Sequence, residues 1–256
     1  MLVNAMPTET LDIVEKFKMK TVGKLANFYP YYSTKIGDRE VYLLQTHVGS
    51  INAPAATSIA IEQLKPEYVI KVGCIGGNAP GLKANDIIVP TLFFHSGAWL
   101  TRSYIDNTPT QDASLWQSLY GNFPYQNNKA NIGGIDYSFE PSKKLNQVYK
   151  DVLNSESVNY IEAPLGSGDM VIFSKEVMNN ISVNILKLKD PLEPWCTDNE
   201  SHAVAQICSI FQIPFTGIYF IASSDYEELE GYDPDSIRTQ TKNTILPLLE
   251  KVLLKL

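Results

Sequence analysis

The sequence predicts a single α/β domain, and two observations support this prediction. β-rich segments alternate with segments of helical hydrophobic spacing along the chain. No linker, internal repeat or block of like charges interrupts this alternation, so we expect residues 1–256 to form one domain. Hydrophobic residues make up 44% of the sequence and charged residues 19%, a globular composition that can bury a sizeable core.

The chain is expected to begin with a strand, a turn and a helix. Residues 2–6 form a short apolar run that ends at Pro7. Pro7 suits the first turn of a helix because its missing N–H would have no partner there, and Glu9 then lies near the positive end of the helix dipole. Two β-rich runs, residues 31–36 and 41–46, flank Gly37-Asp38-Arg39, which is typical of a hairpin.

Alternating strands and helices are predicted for the rest of the chain. The expected helices are Asn52–Leu64, residues 199–211 and a closing helix from about residue 236; the expected strands are residues 68–72, 86–90, 159–165 and 215–222. Residues 97–140 are rich in Asn, Gln, Tyr, Gly and Thr and show weak periodicity. We expect this segment to form an irregular loop around short strands.

Two glycine turns follow predicted strands. Residues 73–77 follow the strand at 68–72, and Gly166-Ser167-Gly168-Asp169 follows the strand at 159–165. Ligands of parallel sheets bind beyond the carboxyl ends of the strands, so both turns are expected to line one pocket. Neither the dinucleotide-binding glycine spacing nor a Gly-Lys-Ser/Thr phosphate loop is present.

Four acidic residues near element ends are candidates for chemistry, and three of them have a simpler structural explanation. Asp198 is typical of a helix N-cap, Glu9 of an acid at a helix dipole, and Asp225 of an N-cap or Asx turn. Partial burial would raise the pKa of Asp225 at the end of its strand, which suits proton transfer. Glu200, at the start of a helix of small residues, could accept hydrogen bonds from paired sugar hydroxyls.

Charge, hydropathy and cysteine content argue against several classes of protein and of partner. The net charge of -7 opposes binding to nucleic acid, and no apolar stretch is long enough to span a membrane. The three cysteines are widely spaced and predict reduced thiols, with no metal site and no cofactor. No secretion signal is recognisable at the start, so we expect a cytoplasmic protein.

Six motifs, in this order, resemble the nucleoside phosphorylase family, and within it the methylthioadenosine/S-adenosylhomocysteine nucleosidases. They are Ala5-Met6-Pro7-Thr8-Glu9, Gly73-Cys74-Ile75-Gly76-Gly77, residues 82–89 with Asp86, Ser167-Gly168-Asp169, Asn199-Glu200 with residues 203–206, and Ser224-Asp225. The resemblance spans essentially the whole chain. It implies a three-layer α/β/α fold with a central mixed, partly barrel-like β-sheet, and a homo-oligomer, either a dimer or a hexamer.

The resemblance also implies roles in cleaving the N-glycosidic bond of a purine nucleoside. Asp225 would protonate purine N7, with Ser224 helping to orient it, and Glu9 would activate the attacking water. Glu200 would bind the ribose hydroxyls, with Asn199 beside it. Further substrate contacts are implied for Val48, Cys74, Gly76, Val171 and Ile172.

Water or phosphate can be the acceptor in this family. Its phosphorylases hold phosphate with two arginines and a hydroxyl, and the corresponding places are taken by Pro7-Thr8-Glu9, Lys71 and Cys74. A carboxylate repels phosphate, so hydrolysis is favoured, although Lys71 keeps phosphorolysis as an alternative. A non-catalytic nucleoside-binding or storage protein is a second alternative, because Asn199 and Val171 replace the methionine and phenylalanine of the nucleosidase pattern.

Overall fold

The computed structural model describes residues 1–119, 138–226 and 233–256. The strands in these ranges are β1 (Leu2–Asn4), β2 (Lys20–Leu25), β3 (Tyr29–Ile36), β4 (Arg39–Gln45), β5 (Val69–Gly77), β6 (Ile87–His95), β7 (Trp99–Ser103), β8 (Trp116–Ser118), β9 (Ser138–Phe139), β10 (Tyr160–Ser167), β11 (Cys196–Asp198) and β12 (Phe215–Ser224). The α-helices are α1 (Pro7–Lys16), α2 (Asn52–Leu64), α3 (Lys143–Ser155), α4 (Lys175–Asn180), α5 (Ser201–Ile210), α6 (Pro234–Gln240) and α7 (Leu246–Lys255). One 3₁₀ turn (Ala113–Leu115) and two π-helical turns (Ile181–Ile185 and Thr241–Ile245) complete the described elements.

Five strands of the main sheet close into a ring. β12 pairs parallel with β5 and antiparallel with β6, and β10 lies parallel between β6 and β11. The ring closes where β11 pairs antiparallel with β5, which places Cys196 opposite Gly77 and Thr197 opposite Gly76. The sheet is therefore mixed and partly barrel-like, as the resemblance implied.

The remaining strands extend this ring from one side. β1 lies parallel between β5 and β4, and β4, β3 and β2 continue as an antiparallel meander. The β3–β4 hairpin turns at Gly37, whose φ of 60° lies in the left-handed region that glycine adopts without strain. These open strands thus join the ring through the first half of β5, whereas the ring closes at the last two residues of β5.

Helices cover both faces of the sheet and produce the three layers. The helices α2 and α5 bury small residues such as Ala53, Ala60 and Ala205 against one face. On the other face, α3 and α7 bury Tyr149 and Leu249 in a second hydrophobic cluster. Small residues let the axes of α2 and α5 approach the sheet closely, which brings the start of α5 to the strand ends.

The predicted α/β class is confirmed, and so is the strand, hairpin and helix order of the first 77 residues, apart from β2. Most of β2 is exposed and it pairs with β3 alone, so it carries no buried apolar run that could have indicated it. Helix α3 was also not predicted, although Leu145, Tyr149 and Val152 recur at helical spacing. Charged and amide residues between those positions weaken that signal.

The segment at residues 97–140 contains more order than the sequence predicted. Strands β7 and β8 pair with each other in a separate two-stranded sheet, and β9 adds to β6. Residues 120–137 of the predicted loop lie outside the described residues. Of the helices that are described, none is long and apolar enough to cross a bilayer.

Substitution of Gly217 by alanine is expected to destabilise the protein. A methyl group at this position in β12 would overlap the ring of Tyr219, a buried side chain whose hydroxyl lies 2.7 Å from Ser201 Oγ. We expect a loss of about 1–3 kcal/mol in the free energy of unfolding, measured by urea denaturation. Gly23→Ala in β2 is the matched control, since a methyl group there meets only Tyr31 at 3.9 Å; equal losses in both variants would contradict the expectation.

Candidate active site

A cavity of about 350 Å³ lies at the carboxyl ends of β5 and β12, beside the turn from β11 into α5. Most of the predicted site residues line it: Glu9, Val48, Cys74, Gly76, Val171, Asn199, Glu200 and Asp225. The side chains of Ser224 and Ile172 are buried nearby and are not among the lining residues. Acids from the beginning and the final quarter of the chain therefore meet in one cavity.

Residues 73–77, which the sequence predicted as a turn, instead form the end of strand β5 and pair with β12. The glycines of this strand end make room for two of the acids. A Cβ at Gly73 would lie 3.0 Å from Glu9 Oε1, and a Cβ at Gly76 would overlap the carboxylate of Asp225. A side chain at Gly76 would therefore displace the Asp225 carboxylate, and one at Gly73 would crowd Glu9.

Glu9 lies in the first turn of α1, against the end of β5. Its Oε1 accepts a hydrogen bond from the backbone N–H of Cys74 at 3.1 Å, and its Oε2 accepts one from the N–H of Met6 at 3.3 Å. Burial raises the pKa of Glu9, while the charge of Lys71 and these two N–H groups limit the rise. The result is a positioned carboxylate of increased basicity.

Asp225 follows the end of β12 on the other side of Gly76. Burial raises the pKa of its carboxyl to about 6, and the hydroxyl of Ser223 opposes the rise by donating a hydrogen bond of 2.9 Å to Oδ1. Such a group can hold a proton near neutral pH and release it to a bound molecule. Orientation by Ser224 stays a prediction, because the contact seen with Asp225 comes from Ser223.

Lys71 forms ion pairs with two acids at the floor of the cavity. Its Nζ lies 2.8 Å from Asp198 Oδ2 and 3.2 Å from Glu200 Oε2, and all three side chains are at most 6% exposed. Burial opposes the charge of Lys71, but the two carboxylates raise its pKa well above the usual value. Burial likewise raises the pKa of Glu200, against the effect of Lys71, and the neighbouring Asp198 adds to that rise.

The predicted N-cap position of Asp198 is wrong, because the N-cap residue of α5 is Glu200, but the Asp198 side chain does bind the first N–H groups of the helix. Its Oδ1 accepts hydrogen bonds from the backbone N–H of Ser201 at 3.0 Å and of Glu200 at 3.2 Å, at the start of α5. The same carboxylate accepts a 2.6 Å hydrogen bond from Ser167 Oγ and binds Lys71. Burial alone would raise its pKa, but Lys71 and the two serine hydroxyls lower it, so Asp198 is ionised.

Two loops form the entrance to the cavity. Gly49, beside Val48, donates its N–H to Glu200 Oε1 at 3.0 Å. The next residue, Ser50, donates through its N–H to Asp169 Oδ1 at 2.7 Å and through its hydroxyl to Oδ2 at 2.5 Å, and these bonds are exposed. The loop after β4 is thereby tied to the loop after β10, where Val171 lines the cavity.

The other predicted substrate contacts differ in which group, if any, they direct into the cavity. Asn199 lines the cavity, but its amide also donates a 2.6 Å hydrogen bond to the carbonyl of Gly168. Burial and the adjacent Glu9 raise the pKa of the Cys74 thiol well above its usual value, so it is a neutral thiol. The side chain of Ile172 lies in the hydrophobic core.

Sequence reasoning missed several residues of this site. Lys71 was noted only as a possible phosphate ligand, and Ser223 was given no role of its own. Met6, Met170 and Phe173 also line the cavity and make one wall apolar. Phe173 was one of several aromatic residues that could stack on a base, and periodicity could not choose among them. The pairing of Lys71 with Asp198 joins residues 127 positions apart and left no local signal.

The arrangement provides two kinds of carboxyl chemistry in one enclosed space. Asp225 can donate a proton and Glu9 can accept one, and both carboxyl groups lie against the end of β5. Glu200 lines the same cavity, with the Gly49 N–H on one oxygen and Lys71 on the other. In the described ranges, no group of three or more His, Cys, Asp and Glu residues could hold a metal ion.

Comparison with known proteins places these features in context. The model of the phosphorylase superfamily matches residues 1–251. A 5′-methylthioadenosine/S-adenosylhomocysteine nucleosidase of Exiguobacterium sp. is 27% identical over 245 residues, which cover 95% of this chain and 92% of that protein. A nucleosidase of the same name from Buchnera aphidicola is 27% identical over 87% of this chain and 84% of its own length.

Solved structures with this fold include two hydrolases of Helicobacter pylori. A futalosine hydrolase superposes with a TM-score of 0.78 at 19% identity, covering all of this chain and 97% of its own. A 5′-methylthioadenosine/S-adenosylhomocysteine nucleosidase bound to butyl-thio-DADMe-Immucillin-A also has a TM-score of 0.78, at 18% identity over the same shares. At these identities the likeness establishes the fold.

Loss of the Ser223 hydroxyl is expected to raise the pKa of Asp225 above its value of about 6. The hydroxyl donates to the carboxylate and so favours the ionised form. Titration of the Asp225 carboxyl carbon by NMR in Ser223→Ala measures the change. Ser224→Ala is the matched control; a larger shift in that variant would mean that Ser224 is the orienting residue.

Proposed function

Because the chain belongs to the phosphorylase superfamily, we propose that its cavity hydrolyses the N-glycosidic bond of a purine nucleoside. The observation that carries the proposal is the convergence of Glu9, Glu200 and Asp225 on one cavity. Their environments differ, since Asp225 is protonated below a pKa of about 6 while Glu9 is held by two backbone N–H groups. Paired carboxyl groups with distinct environments are what separate acid and base roles require.

In the proposed reaction, Asp225 protonates N7 of the purine as the bond between C1′ and N9 breaks. The bonding electron pair stays with the base, and the added proton neutralises the charge that develops there. Water attacks C1′ and passes a proton to Glu9, so the products are free base and free sugar. Transfer of a proton from Glu9 back to solvent, and uptake of one by Asp225, restores the starting state.

Glu200 is proposed to bind the ribose hydroxyls, with Asn199 beside it. The carboxylate is held by Gly49 N–H on one oxygen and by Lys71 on the other, which fixes the direction in which its free lone pairs point. Negative charge close to the sugar also favours the positive charge that develops on C1′ in the transition state. Glu200 therefore contributes to both binding and rate.

Water is favoured over phosphate by the charges around the cavity. Lys71 is the single Lys or Arg residue among the described lining residues, and it is already paired with Asp198 and Glu200. A phosphate ion would meet the carboxylate of Glu9 without a free cation to compensate. The alternative of a phosphorylase is thus less consistent with this site.

The substrate class is proposed from the relatives and from the cavity wall. The relatives at 27% identity are named for 5′-methylthioadenosine and S-adenosylhomocysteine, and a structural neighbour is a futalosine hydrolase. Met6, Val48, Met170 and Phe173 give the cavity an apolar side that suits a purine ring or an apolar 5′ substituent. Nucleosides of these three kinds are therefore the first substrates to test.

A cytoplasmic homo-oligomer is part of the same proposal. Val48, Ile51, Val171 and Phe173 are exposed apolar residues on the two loops that flank the cavity, and Ile51 is 79% exposed. An apolar group of this kind on a protein surface commonly marks a contact with another chain. A second copy placed there would cover the entrance of the site.

Hydrolysis is tested by incubating the protein with a panel of purine nucleosides with and without phosphate. We expect free base and free sugar in equal amounts at an unchanged rate when phosphate is omitted, because water is the acceptor. Oxygen-labelled water should place its label on the sugar C1′, read by mass spectrometry. Formation of sugar 1-phosphate, or turnover that requires phosphate, would overturn the choice of water.

The acid role of Asp225 predicts how the rate depends on pH. The carboxyl must carry a proton to donate it, so kcat/KM should fall as the pH rises through about 6, the pKa of Asp225. Asp225→Asn should remove this fall and lower turnover by about 10²–10⁴-fold, as expected for loss of a general acid. Equilibrium binding of a nucleoside to the variant serves as the folding control. A wild-type protein that binds nucleoside without turnover would support the non-catalytic alternative.

A further inference from the structure

Lys71 is the buried cation on which the charge balance of the site depends. It is the third residue of β5, with its side chain 3% exposed, and its Nζ contacts Asp198 and Glu200. The same Nζ lies 5.6 Å from the centre of the Tyr219 ring, on the adjacent strand β12. The ammonium is therefore enclosed by groups from β11, from β12 and from the start of α5.

Asp198 is fully occupied in holding this ammonium. Its oxygens accept hydrogen bonds from Ser167 Oγ, from the Ser201 N–H and from the Ser201 hydroxyl, besides the contact with Lys71. Ser201 Oγ lies 2.7 Å from the Tyr219 hydroxyl, which fixes the other end of the network. Asp198 thus has partners on all sides, and its role is to fix the ammonium in place.

We propose that Lys71 is a positioning residue that keeps Glu9 and Glu200 ionised and holds Glu200 towards the cavity. This inference rests on the proposed hydrolysis for its effect on rate. The charge relationship itself rests on the ion pairs of Lys71 with Asp198 and Glu200, and on the position of Glu9 Oε1 against Gly73, two residues along β5 from Lys71 in the same cavity. Lys71 supplies one positive charge to three enclosed carboxylates: Asp198, Glu200 and Glu9. Without it, the buried site would contain only negative charges, and one carboxylate would have to take up a proton.

The surroundings indicate that Glu9 or Glu200, and not Asp198, takes up that proton. Asp198 has several hydroxyl and N–H donors that favour its ionised form, whereas burial already raises the pKa of Glu9 and Glu200. The titratable or charged groups that face Lys71 or Glu9 are Asp198 on β11, Glu200 before α5, Tyr219 on β12 and Cys74 on β5. Of these, Lys71 is the largest influence that lowers the pKa of Glu9.

A protonated Glu9 cannot accept a proton from the attacking water. Removal of the Lys71 charge should therefore move the acid limb of the pH profile of kcat/KM to higher pH. A nearby opposite charge shifts a carboxyl pKa by about 1–3 units, so we expect a shift of about one pH unit or more. The same shift should appear in the titration of Glu9 itself.

The test uses Lys71→Met, which removes the charge and retains the length of the side chain. Two measurements are made: kcat/KM against pH, and the titration of the Glu9 carboxyl carbon by NMR in the absence of substrate. Lys71→Arg keeps the charge and should leave the position of the acid limb unchanged. Lys150→Met removes an exposed pair with Glu162 and is the matched control, with no expected shift.

A double variant separates charge control from folding. Lys71→Met alone leaves Asp198 buried without its counter-charge, which can unfold the protein, whereas Lys71→Met with Asp198→Asn removes one charge of each sign. Asp198 is not among the largest influences on the pKa of Glu9, so Glu9 should still titrate at higher pH in the double variant. If Lys71 served only to neutralise Asp198, the double variant would titrate as the wild type does, and the inference would be wrong.

The outcomes also separate this inference from the proposed function. If the wild-type protein hydrolyses nucleosides but the titration of Glu9 is unchanged in both Lys71→Met proteins, the function stands and the role of Lys71 is overturned. If Glu9 titrates higher without Lys71 but no nucleoside is hydrolysed, the charge relationship stands and the proposed function fails. The substrate-free titration makes the two results independent.

Discussion

The antiparallel pairing of β11 with β5 is the contact on which the site depends. It joins Thr197 to Gly76 and Cys196 to Gly77, and it closes the ring of strands. Asp198, Asn199 and Glu200 follow directly after this contact and so lie beside the end of β5. A ring open at this point would leave the acids of the last quarter of the chain apart from Glu9. Closure of the ring of strands therefore brings these acids into one cavity, as an interface between two domains does in other enzymes.

The enclosed site gives each acid a different environment through its immediate neighbours. Burial acts on all of them, but Asp198 has many donors, Glu9 has two backbone N–H groups and Asp225 has the Ser223 hydroxyl. Since a carboxylate without donors is the one that most readily retains a proton, the order of donors sets the order of acid strength. The different pKa values of these similar side chains thus arise from their hydrogen-bond donors and, for Asp198 and Glu9, also from the charge of Lys71.

The sequence could predict the elements and acids of this site but not their partners. Glu9, Glu200 and Asp225 stand beside local signals, and all three line the cavity as expected. The contact of Ser223 with Asp225 could not be predicted, because a bulge in β12 shifts the register between Ile221 and Ser223. The ion pairs of Lys71 depend on strand pairings far apart in the chain, which hydrophobic periodicity does not encode.

The two sides of the cavity differ in how firmly they are built. Its floor consists of strands and buried ion pairs, whereas its rim joins two loops through exposed bonds from Ser50 to Asp169. Water can replace an exposed bond at small cost, so the rim can part while the floor keeps its shape. Exchange of molecules with the bulk solution then requires no rearrangement of the charged groups, and successive catalytic cycles begin from the same preorganised geometry.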